Sequence, residues 1–166
     1  MYFWRIDPLR DQLAATNLPA RDALGYVIGT FSLYALFIEL SAYTAPEQVT
    51  PWDGLTSLIT IAIALIGPIL AYRANGGPAG RDFTARFLAL GWVLGIRFLA
   101  VVGTLLVAFY LLLGLAAGVF GSDPSQQFHS WLAPLQVVVF SLLYYWRLAI
   151  HMARVRLAST VESALA

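Results

Sequence analysis

The stretch 87–120 holds 34 residues and a single charge, Arg97. A soluble domain has no place for an apolar run of that length, whereas a membrane crossing requires one. About 20 apolar residues cover the ~30 Å of hydrocarbon at 1.5 Å per helical residue. Three further segments, 23–43, 55–72 and 131–150, meet the same requirement. The whole chain agrees: of its 166 residues 60% are hydrophobic and 11% are charged, against about a quarter charged in soluble domains. The sequence therefore predicts an all-α integral membrane protein with four transmembrane helices. It divides into a segment at 1–22, a four-helix membrane domain at 23–153 and a tail at 154–166.

Arginine sets the expected orientation, because cytoplasmic loops near span ends retain Lys and Arg. There is no lysine, so the ten basic residues are all arginine. Arg5, Arg10 and Arg21 precede the first span, Arg73, Arg81 and Arg86 lie between the second and third, and Arg147, Arg154 and Arg156 close the fourth. The other two connections, 44–54 and 121–130, contain none. Both termini and the 73–86 loop are thus expected in the cytoplasm, with an inner-membrane location in a bacterium; Ala-, Gly- and Arg-rich composition without lysine fits a GC-rich genome. A cleaved signal peptide would need a short apolar core and a small-residue cleavage site. Here Asp7, Asp11 and Asp22 interleave with the arginines before a full-length span, so the first helix is expected to be retained.

Within 1–22, Asp7-Pro8 resembles a helix start, with a carboxylate cap and proline at the first helical position. Ile6, Leu9 and Leu13 recur at helical spacing opposite Arg10 and Asp11, which predicts a short amphipathic helix lying on the inner leaflet. The competing reading is a partly ordered tail. Asn75-Gly-Gly-Pro-Ala-Gly80 predicts a turn, because Asn-Gly and Gly-Gly permit positive φ and Pro78 ends a helix. The third apolar run exceeds the bilayer: it either protrudes, tilts, or lies along the interface over 83–96 before turning inward near Gly95.

Chemistry within the spans is sparse. Arg97 is either an anchor at the inner headgroups, with 98–120 crossing alone, or an intramembrane charge that needs a partner. Arg86 lies eleven residues earlier, three helical turns, so the two point the same way; together they are candidates to hold an anionic lipid or an acidic partner. Glu39 and Gln136 are the candidate ion or solute groups. The acids Glu47, Asp53 and Asp123 with His129 offer oxygen and imidazole ligands but repeat no metal-site spacing, and positive-inside bias explains them equally well. His129 and His151 flank the fourth span and face opposite membrane sides, so one haem cannot use both. No nucleophile and base pair or HExxH motif appears, and there is no cysteine. The sequence points to no cofactor or metal and disfavours catalysis. A net charge of +1 argues against nucleic acid as a partner.

Small-xxx-small pairs are more informative: Gly25 and Gly29, Gly91 and Gly95, with Gly103 two turns on, and Gly114 and Gly118. Such pairs let helix backbones approach where lipid removes the hydrophobic drive. The reading that follows is a non-enzymatic polytopic protein that works by helix association, as a subunit, scaffold or homo-oligomer. Its expected partners are the bilayer and other membrane chains or copies of itself. A small transporter or channel using the polar intramembrane residues is the alternative, and a lipid-modifying enzyme the third.

Overall fold

A computed structural model describes residues 2, 4–16, 18–42, 50–120 and 124–165; within its helices the side chains of 42, 117, 120, 124–131, 133 and 162–165 are outside the description. Five α-helices follow one another: α1 (Ile6–Ala15), α2 (Ala20–Ala42), α3 (Pro51–Ala74), α4 (Phe83–Phe120) and α5 (Pro124–Leu165). Four of them, α2 to α5, are long and apolar enough to cross a membrane.

The local signals act where the residues place them. α3 opens with Thr50 before Pro51, and the Asp53 carboxylate accepts hydrogen bonds from the Thr50 backbone N–H at 2.7 Å and from its hydroxyl at 2.6 Å, satisfying groups a helix start leaves open. It closes at Asn75. Gly76 then takes φ +106°, the left-handed region open to glycine, and leads into a single 3₁₀ turn at Gly77–Ala79 that contains Pro78. The predicted turn is there. α1 starts one residue before Asp7, with Arg5 as the flanking residue and no side-chain cap, so Asp7 and Pro8 occupy its first turn instead of capping it.

Two helices run further than the expected spans. α4 is unbroken through Gly95, which removes the alternative of a turn there. α5 carries the fourth span and 154–165 as one helix of 42 residues, so the segment expected as a tail is helical. At 1.5 Å per residue α4 is about 57 Å long and α5 about 63 Å, each roughly twice the hydrocarbon thickness.

Pairwise contacts set the arrangement. α4 and α5 are antiparallel: the Tyr144 hydroxyl donates to the Gly91 carbonyl at 3.2 Å, and Gln136 meets Tyr110 nearer the other end. α3 runs parallel to α5, with Gly67 against Tyr145 and Gly76 against Arg156. α2 packs on α4, where Trp92 stands 2.9 Å from the position a Gly29 Cβ would take. Among the described residues, α2 and α3 form no packed interface with each other.

The buried core lies at one end. Leu9 and Leu13 of α1, Tyr26 of α2, Ala71 of α3, Leu90 and Val93 of α4, and Leu148, Met152 and Val155 of α5 form one cluster. The stripe expected to lie against the inner leaflet, Ile6, Leu9 and Leu13, is covered by α4 and α5. The physical reason is the excess length of those two helices, which supplies a protein surface for α1. Arg10 keeps the opposite face polar, 3.4 Å from Asp7 and 3.8 Å from Asp11.

Candidate functional site

The arginines lie toward this packed end by helix direction, and two of the predicted site residues organise it. Arg86 is 4% exposed. Its guanidinium donates to Asn75 Oδ1 at 3.2 Å and to the Leu13 carbonyl at 3.1 Å, while Asn75 Nδ2 donates to the Arg81 carbonyl at 3.1 Å. A buried cation costs free energy unless it is hydrogen-bonded; here two neutral oxygens share it. Arg97 donates from Nε to the Trp4 carbonyl at 2.8 Å and lies 5.7 Å from the centre of the Trp4 ring. The two arginines do share one side of α4, as their spacing implies, and that side holds both ends of the N-terminal segment. α1 therefore runs along α4 in the opposite direction. The Tyr26 hydroxyl adds a third tie, accepting from the Tyr2 N–H at 2.8 Å and donating to the Tyr2 carbonyl at 3.2 Å.

Arg86 and Arg97 line different cavities. A polar pocket of about 200 Å³ is bordered by Gly80, Arg81, Arg86, Arg156, Ser159 and Thr160. A second pocket, about 320 Å³, lies between α4 and α5 and joins Arg97 to Arg147 and His151, with Phe98, Val101 and Leu143 among its apolar walls. Arg147 and His151 are one turn apart on α5. Neither was singled out by sequence as an anion contact, although Arg147 follows Trp146, a residue pair characteristic of membrane interfaces.

A larger space than either is a cleft of about 790 Å³ between α2 and α3, backed by α4 and α5. Leu33 and Phe37 form one wall and Thr60 contributes from the other. Gly95, Gly103, Gln136, Ser141 and Tyr144 line its floor. A smaller cavity of about 240 Å³, reaching to Thr30, Gly91 and Trp92, adjoins it and shares Leu33, Phe37, Gly95 and Tyr144 with it. Gln136 lies 3.5 Å from the Tyr110 hydroxyl, at the outer limit of a hydrogen bond. Glu39 does not join it: it is exposed near the end of α2, with no hydrogen bond or ion pair among the described residues.

The glycines separate into two groups. Gly29 and Gly91 meet side chains of neighbouring helices, Trp92 and Tyr144. A Cβ at Gly95, Gly114 or Gly118 meets nothing within 4 Å, and at Gly103 only Leu99 of its own helix. Gly25 is partly buried. The tightest glycine contact is one the sequence reading passed over: Gly67 lies directly under the Tyr145 ring. Its signal was present, since Gly67 and Ala71 form a small-xxx-small pair and both are buried. Of the acids expected together, Asp53 serves the α3 start, Glu47 and Asp123 lie outside the described residues, and so does the His129 side chain.

Comparison with known protein families, with curated proteins and with solved structures finds no match to this chain.

Proposed function

We propose that this chain is a non-enzymatic membrane protein that works by helix association, as a subunit or scaffold of a larger assembly or as a homo-oligomer, with its arginine-rich end in the cytoplasm. The observation that carries the reading is the cleft between α2 and α3. Its floor includes Gly95 and Gly103, positions where an added Cβ would meet no neighbouring helix. A glycine floor without a helix on it supports close approach by a helix from another chain. The distribution of arginine supports the orientation.

The chain contains no cysteine, so Leu33→Cys and Val137→Cys variants each offer one thiol in the cleft for crosslinking in native membranes. A crosslinked species is expected from either, together with a complex larger than the monomer on native electrophoresis. Gly103→Leu fills the floor and should reduce that complex about tenfold, equivalent to ~1.4 kcal/mol. A lone monomer in native membranes, with no crosslink from either position, overturns the reading.

The polar groups in the same cleft favour a second reading, passage of a small solute. Gln136, Thr60 and Ser141 give that route three hydrogen-bonding side chains. Flux into proteoliposomes that Gln136→Leu abolishes would select it over association.

A further inference from the structure

Arg97 and Arg147 stand at matching places on an antiparallel pair of helices. The 23 residues 98–120 contain no Asp, Glu, Lys or Arg, and neither do the 23 residues 124–146. Each run is about 34 Å of helix, against ~30 Å of hydrocarbon. Each arginine is the first charge met at the arginine-rich end of its run. The fold then brings them to a single pocket.

The pocket is polar at one end and apolar along its walls. Arg97 has its Nε bonded to the Trp4 carbonyl, and its two Nη groups have no carboxylate partner among the described residues. Arg147 lies 6.0 Å from the centre of the Trp146 ring, also with no described carboxylate partner. His151 adds a buried Nδ1 that has no hydrogen-bond partner among the described residues. Two cations lining one cavity call for an anion with several acceptor oxygens. Val101, Leu143 and Phe98 continue the cavity toward the apolar runs, where a free ion gains nothing and a hydrocarbon chain is accommodated.

We infer that the pocket between α4 and α5 binds an anionic phospholipid, with the phosphate between Arg97, Arg147 and His151 and an acyl chain along Val101 and Leu143. The site adjoins the cleft between α2 and α3 through Phe98 and Val102, but the arginines belong to this pocket alone. It also differs from the 200 Å³ polar pocket around Arg81 and Arg156, which offers no comparable apolar wall.

Native mass spectrometry of the full chain, released from nanodiscs of mixed phosphatidylglycerol and phosphatidylcholine, tests the inference. The wild-type chain should retain phosphatidylglycerol. R97Q/R147Q should weaken retention about thirtyfold, five- to sixfold for each guanidinium, whereas R81Q/R156Q should leave it unchanged. Inorganic phosphate at millimolar concentration should not displace the lipid; displacement identifies the site as one for a soluble anion and overturns the inference. Equal retention of both lipids, or a folded R97Q/R147Q that keeps phosphatidylglycerol, overturns it as well. Should that variant not fold, the wild-type chain decides. Acyl-brominated phosphatidylglycerol should quench tryptophan fluorescence more than brominated phosphatidylcholine, through Trp146, and equal quenching rejects the site.

Discussion

At the arginine-rich end, five helices meet around Leu9, Leu90, Leu148 and Met152, all fully buried, and buried Arg86 is tied to two separate segments. At the opposite end, α4 presents Leu105, Leu112, Leu115 and Val119 at 64% exposure or more. The first end is held as a water-soluble domain is held, by interdigitated side chains and satisfied buried polar groups. The second is held by each helix satisfying its own backbone, with hydrocarbon as neighbour. One chain thus carries two modes of stability, and the change between them falls near the level of Arg97 and Arg147.

Substitutions that treat the ends alike should separate them. Leu148→Ala opens a cavity in the packed end and should cost about 2–5 kcal/mol, whereas Leu112→Ala, 65% exposed, should stay within about 0.5 kcal/mol. Thermal unfolding followed by circular dichroism in one detergent makes the comparison, and equal losses would break it. Gly67→Ala forces a methyl toward the Tyr145 ring and should cost about 1–3 kcal/mol. Gly114→Ala, with open space around it, should be neutral or stabilising by up to about 1 kcal/mol through helix propensity. Tyr26→Phe removes both ties to Tyr2 and should cost about 0.5–1.5 kcal/mol. Its mark would be faster hydrogen exchange in the N-terminal segment with the rest of the chain unchanged.

The same contrast explains what the sequence made legible. Spans 23–43, 55–72 and 87–120 could be read because hydropathy and length are properties of each helix alone. Ile6, Leu9 and Leu13 were legible as an apolar stripe, but their neighbour was not: periodicity marks a face as apolar and leaves open whether lipid or protein covers it. Arg86 and Arg97 were placed on one face by their spacing. Their different fates were hidden, because Asn75 and the Leu13 carbonyl reach Arg86 only through the turn at 75–80 and the course of α1. Arg147 and His151 were read separately, one as a charge at a span end and the other as a haem ligand that fails. Only the antiparallel register of α4 and α5 joins them to Arg97.

The seat of α1 has a consequence for biosynthesis. Leu9 and Leu13 are among the first core residues translated, and Leu148, Met152 and Val155 are the last. Until the ribosome has delivered α5, the first helix has half its docking surface missing and its stripe remains open to chaperones or to the membrane surface. Docking of α1 onto α5 therefore waits for the last helix, whereas the tie between Tyr2 and Tyr26 joins two early segments and needs only α2. A chain arrested before Leu148 can insert its first three spans and still display the Ile6, Leu9 and Leu13 stripe, giving quality control a handle to tell an unfinished molecule from a finished one.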